Sequence, residues 1–215
     1  VKFVESISSV PPSIDSSNPE IIEVGLAAYS GAQGRPMLNS IALERPEAIE
    51  MALKYNAEAV VMASNEVGMP ADADERVENV GRILEMALTK GMVEEDIYVD
   101  PLYFPIAVDS SYGKHAFDAI TKIRAEFGDK IHVAGGMSNV SFGIPKRRLI
   151  NDLFLYLAIE AGADAGIVDP MTTSAKRSLD IDLEAGPVKL AMELLQGNDD
   201  FAMNYITAFR AGELD

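Results

Sequence analysis

The chain has 215 residues, 48% hydrophobic and 24% charged, which suits one domain with a sizeable core. It has no cysteine, so disulfides, thiolate metal sites and cysteine nucleophiles are excluded. With 34 acidic residues against 18 lysines and arginines the formal charge is −16, which disfavours a phosphate backbone as partner. No apolar run reaches the ~20 residues of a membrane span, and no charged-then-apolar leader is recognisable, so a soluble, cytoplasmic protein without membrane or nucleic-acid partners is expected.

In chain order, residues 1–8 read as the tail of a helix. A first strand over 10–14 ends in Asp15-Ser16-Ser17-Asn18-Pro19, where Asn18 is a natural N-cap and Pro19 a natural first helical residue. A short strand over 36–38 ends in Asn39-Ser40. Arg45-Pro46-Glu47 then opens a helix with Ile49, Leu53 and Ala57 on one face. The run 59–63 (Ala-Val-Val-Met-Ala) has the continuous apolar character of a strand buried on both sides.

A polar loop to Asp74 leads to a helix carrying Val77, Val80, Ile83, Leu84 and Leu88, stopped by Gly91. A strand over 97–99 ends in Asp100-Pro101, and a helix over 114–127 follows. The strand over 131–134 ends in Gly135-Gly136-Met137-Ser138-Asn139. The next helix, over 148–161, carries a stripe of Leu149, Leu153, Leu157 and Ala161. A sixth strand over 165–168 ends in Asp169-Pro170, and helices over 187–195 and 201–209 close the sequence.

Short apolar strands alternating with helices imply an α/β fold with parallel strands and right-handed crossovers. Both an open doubly wound sheet and a TIM (β/α)8-type barrel fit this alternation. The polar strand ends favour the barrel, which gathers all C-terminal strand ends at one mouth. Six strands predict a single domain over 1–215 that lacks the first two strand–helix units of a barrel.

Any one strand-end Asp or Asn is more often a turn former than a ligand. Asp15, Asn39, Asp100, Asn139 and Asp169 at equivalent places are a different matter. Together they would line a pocket with carboxylates and amides, a setting for a flat heterocycle whose adjacent N–H donors meet a carboxylate. His115 and His132 have no paired spacing and no cysteine beside them, so no metal site is expected. The cluster Lys146-Arg147-Arg148 is either a solvated helix start or a contact for an anionic tail or a partner.

The segment Gly135-Gly136-Met137-Ser138-Asn139-Val140-Ser141-Phe142 resembles the folate domain of cobalamin-dependent methionine synthases. Pro145 to Asn151 is similar to methyltetrahydrofolate:corrinoid/iron–sulfur protein methyltransferases, although these carry a polar residue where Phe142 stands. Asp15-Ser16, Leu38-Asn39-Ser40 and Tyr98-Val99-Asp100-Pro101 match the same family's strand-end motifs in order and spacing.

The resemblance implies a pterin-binding barrel of the dihydropteroate-synthase-like type. Its substrate would be methyltetrahydrofolate and its second reactant a cobalamin or other corrinoid carried by a partner protein or domain. In this reading Asp15, Asn39 and Asp100 bind the pterin's pyrimidine edge, and Gly135, Ser138 and Arg147 lie near the folate. Asn139 sits near N5 as the catalytic residue, and the chain forms a homodimer. The alternatives are a pterin-binding module without activity of its own, or a dihydropteroate synthase. The second family has Arg-Lys after the serine where this chain has Asn139-Val140.

Overall fold

The computed structural model describes residues 1–214, which fall into two compact units. The first comprises residues 1–100 and 126–132, the second residues 101–125 and those from 133 onward.

The first unit opens with α1 (Lys2–Ile7), which buries none of its residues. Strand β1 (Ser13–Asp15) is shorter than the sequence predicts. Pro11 and Pro12 cannot donate to a ladder, and only the Pro12 carbonyl takes part, accepting from the Met37 N–H at 3.0 Å. In α2 (Pro19–Ala28) the Asn18 side chain accepts from the Glu20 N–H at 2.8 Å, and Pro19 occupies the first turn, as the sequence predicts. Ile22 and Leu26 are its buried face.

Strand β2 (Met37–Ile41) runs past its predicted end, so Asn39 and Ser40 are inside it, with a register shift between Asn39 and Ile41. Helix α3 (Ala48–Lys54) starts after the Arg45-Pro46-Glu47 segment, which is a turn in which the Ala48 N–H donates to the Arg45 carbonyl. Its inward face is Ala48, Ile49 and Ala52; the predicted core position Leu53 is 40% exposed. In β3 (Glu58–Met62) Ala59, Val60 and Val61 are buried, as a doubly covered strand requires.

Helix α4 (Ala73–Thr89) is capped by the Asp72 side chain, which accepts from the Glu75 N–H. It is joined to the end of β3 by a hydrogen bond from Asn79 Nδ2 to the Ala63 carbonyl, 2.9 Å. Strand β4 is Ile97–Asp100 and β5 is His132–Val133, and the sheet order is β1-β2-β3-β4-β5. The pairings of β1 with β2, β2 with β3 and β3 with β4 are parallel.

In the second unit α5 (Ser111–Phe127) starts earlier than predicted, because the Asp109 carboxylate accepts from both the N–H and the hydroxyl of Ser111. Helix α6 (Arg147–Ala161) buries Ile150, Leu153, Phe154 and Ala158. The predicted stripe of Leu149, Leu153, Leu157 and Ala161 shares only Leu153 with that face. In this leucine-rich helix a neighbouring stripe is apolar too, and packing rather than composition selects between them.

The predicted strand over 165–168 is reduced to one parallel bridge between Ile167 and Gly136. A short helix, α7 (Ala175–Leu179), has no counterpart among the predicted elements. Helix α8 (Gly186–Leu195) agrees with prediction, and α9 (Met203–Ala211) begins later because Phe201 and Ala202 have φ of 54° and 56°.

Candidate functional site

Parallel register places side chains by parity: residues paired across strands face the same way, and neighbours along a strand alternate. Ile14, Leu38, Ala59 and Ile97 form one cross-strand row, all buried, on the face covered by helices. Asp15, Asn39, Val60 and Tyr98 form the next row and so face the opposite way. Asp100 lies two residues beyond Tyr98, paired with Met62, and shares that second face. The structure therefore brings Asp15, Asn39 and Asp100 to one face of one sheet, Asp15 and Asp100 as the last residues of β1 and β4 and Asn39 inside β2. Asp15 is exposed, while Asn39 and Asp100 are half-buried.

Further residues belong to this face or its rim and escape the sequence reading. Tyr98 stacks on His132, ring centroids 4.5 Å apart and 21° from coplanar. Its place two residues before Asp100 is the available signal. Arg45 reaches back from the turn after β2, donating to the Ser17 carbonyl at 3.1 Å and to Ser40 Oγ at 3.3 Å. It places a guanidinium beside the ends of β1 and β2. No sequence motif marks it, since Arg45 reads equally well as a helix-start residue.

In the second unit the other four predicted site residues lie on one continuous segment. Gly135 is buried with φ of 126°, a left-handed backbone that disfavours any side chain. Its carbonyl accepts from the Ile167 N–H at 2.9 Å. Residues 137–141 make a 3-10 turn containing Ser138 and Asn139. Asn139 donates its side-chain N–H to the Tyr103 backbone carbonyl at 2.5 Å. The Tyr103 hydroxyl in turn donates to the Ala134 carbonyl at 2.8 Å.

Arg147 is spent on the same turn. Its Nε donates to Ser141 Oγ at 3.0 Å and its Nη2 to the Ser138 carbonyl at 2.9 Å, with the guanidinium 5.9 Å from the Phe142 ring centroid. The basic cluster of the sequence is thus divided: Arg147 braces the turn, while Arg148 lies along α6, 3.9 Å from the Asp152 carboxylate. Asp152 mainly serves Arg177, accepting from Nε at 2.6 Å and Nη2 at 2.8 Å. That hydrogen-bonded pairing pushes the Arg177 pKa above its already high ordinary value. Asp169 acts as a turn former, accepting from the Met171 N–H and the Thr172 hydroxyl.

Among the described residues no group of three His, Cys, Asp or Glu side chains is placed to hold a metal ion, and no helix is long and apolar enough to cross a membrane. The chemistry on offer is hydrogen bonding: carboxylates and amides on a sheet face, and an amide on a braced turn.

A family model described as pterin binding enzyme matches residues 1–169. A methylcorrinoid:tetrahydrofolate methyltransferase of Eubacterium limosum is 27% identical over 217 residues, covering 99% of this chain and 75% of that protein. Among solved structures, a Clostridium difficile dihydropteroate synthase determined with pteroic acid has a TM-score of 0.59 at 20% identity, covering 77% of this chain. A Yersinia pestis dihydropteroate synthase has a TM-score of 0.59 at 16% identity, covering 98% of this chain. These two matches span 64% and 76% of the dihydropteroate synthase chains. At such identities they show a shared α/β fold and nothing finer.

Proposed function

The chain belongs to the pterin-binding enzyme family, and on that premise we propose that it moves a methyl group between N5 of a tetrahydrofolate and a corrinoid carried by a partner protein or domain. The observation that carries this reading is the near full-length likeness to the Eubacterium limosum methyltransferase. The placement of Asp15, Asn39 and Asp100 on one sheet face supports the pterin half of it.

In this proposal the carboxylates of Asp15 and Asp100 accept from the amino and ring N–H groups of the pyrimidine edge, and the Asn39 amide completes the pattern. Gly135 and Ser138 let the folate approach the backbone of the braced turn, and Arg147 holds that turn in shape. The corrinoid supplies a cobalt centre able to accept or donate the methyl group. This chain's task is to make N5 a competent leaving group.

A methyl on a neutral tertiary amine is a poor electrophile. Protonation of N5 lowers the barrier to leaving, and a hydrogen bond to the N5–H proton stabilises that form. Asn139 is assigned this role. The dihydropteroate synthase reading has the fold in its favour, but its Arg-Lys after the serine is replaced by Asn139-Val140.

The test is transfer from methyltetrahydrofolate to exogenous cob(I)alamin, followed spectrophotometrically. Turnover supports the proposal; tight folate binding without turnover assigns the chain to a pterin-binding module instead. Asn139→Ala is expected to lower kcat by roughly 10²–10³, the loss typical of one transition-state hydrogen bond, with a far smaller change in folate Kd. The opposite pattern, lost binding with preserved turnover, would refute the transition-state role.

A further inference from the structure

We propose that Tyr103 is a positioning residue that locks the Asn139 amide with its oxygen outward, so that the site reads the protonated form of the methyl-bearing nitrogen. The inference rests on the methyl-transfer reading above and deepens it.

A backbone carbonyl can only accept, so the Asn139 group 2.5 Å from the Tyr103 oxygen is the NH2 end. The amide is planar, and fixing one end fixes the other: Oδ1 is turned away from Tyr103 as an acceptor. A neutral N5 bearing a methyl has a lone pair and no N–H, whereas protonated N5 has one N–H to give. An amide that presents oxygen therefore binds the protonated species, and one that presents NH2 favours the neutral one.

The carbonyl doing the locking is itself held at several points. The Tyr103 ring is 3% exposed and packs edge-on against Phe154, centroids 5.1 Å apart. Its hydroxyl is tied to the Ala134 carbonyl at 2.8 Å. Ile106 N–H donates to the Val140 carbonyl at 3.0 Å, a second link between the same two loops. Leu102, immediately before, has φ of 66°, a left-handed conformation that is unfavourable for an L-residue and that persists where surroundings impose it.

In the step itself the nucleophile's electron pair forms the new bond to the methyl carbon. The N5–CH3 bond breaks with its pair left on N5, which keeps its proton and leaves as a neutral secondary amine. The acceptor oxygen serves N5–H before and after, so the lock never has to turn.

Tyr103→Phe keeps the ring and the backbone carbonyl and removes the hydroxyl that is tied to the Ala134 carbonyl. It is expected to lower kcat about fivefold to tenfold, the size of one neutral hydrogen bond, with folate Kd within about twofold. The descending, alkaline limb of the rate profile should move to lower pH, because a freed amide presents NH2 part of the time and lowers the N5 pKa. On an Asn139→Ala background Tyr103→Phe should have no further effect, the non-additivity of residues that act as a unit. Phe154→Leu, which loosens the ring from its other side, should reproduce the pH shift if Tyr103→Phe does not fold.

A readout independent of turnover is proton uptake on methyltetrahydrofolate binding in weakly buffered solution, present in the wild type and reduced in Tyr103→Phe. An unshifted pH profile with unchanged uptake, or an effect of Tyr103→Phe that adds in full to Asn139→Ala, overturns the inference. Wild-type uptake that Tyr103→Phe reduces, without turnover, supports the lock and removes the enzyme reading. Absence of wild-type binding overturns both.

Discussion

Tyr205 shows what one polar atom does in a dry setting. Its side chain is fully buried and its hydroxyl has no hydrogen-bond partner among the described residues. Burial raises its pKa above the ordinary value of 10.0 because the phenolate has no water to stabilise it. A raised folded-state pKa contributes stability that is complete below pH 10 and is lost as the unfolded chain, but not the folded one, releases its proton. Thermal unfolding should therefore shift steeply downward above pH 10 in the wild type. Tyr205→Phe should flatten that slope and be neutral or stabilising by about 1 kcal/mol near neutrality, since it removes an unsatisfied buried group. Marked destabilisation at pH 7 in a calorimetric scan would show that the hydroxyl has a partner after all.

Elements whose signals are local were legible in the sequence. Asn18-Pro19 marks the start of α2 because cap and proline act within one turn. The apolar run of β3 identifies a strand covered on both faces whatever covers it. The failures share one cause, dependence on distant partners. Residues 165–168 look like a strand, yet a Cβ at Gly166 would stand 3.1 Å from the Met137 side chain and only Ile167 finds a backbone bridge. The face of α6 is chosen by what packs on it. The carbonyl that holds Asn139 belongs to a residue 36 positions away.

Gly113 is a further case at this scale, since nothing in its neighbourhood distinguishes it from a mildly unfavourable helical glycine. A Cβ there would stand 2.2 Å from the Leu195 carbonyl oxygen, so α5 and the end of α8 approach through the bare backbone. Gly113→Ala trades better helix propensity for overpacking against immovable backbone, and the clash dominates. A loss of about 2–3 kcal/mol in urea unfolding is expected. A gain would mean that the two helices separate without cost.

For the whole molecule, charge outweighs everything else. At −16 the protein repels its own copies near neutral pH, and its sequence pI is about 4.5. Light scattering should show self-association rising as pH falls toward 4.5 and receding at higher pH. Association that is insensitive to pH would point to an apolar contact instead. In the proposed reaction an anionic folate would approach against the same field, so the Arg45 cation beside the ends of β1 and β2 gains weight.

The stack of Tyr98 on His132 gives the sheet face its own voice. The sequence contains no tryptophan, so its near-ultraviolet emission comes from seven tyrosines, and one of these lies in the same row as Asp15 and Asn39 with an imidazole against it. A heterocycle settling on that face must alter the light Tyr98 absorbs and emits, and subtracting the signal of Tyr98→Phe isolates it. The protein thus carries an intrinsic probe beside the residues assigned to grip the pterin, readable without label or turnover.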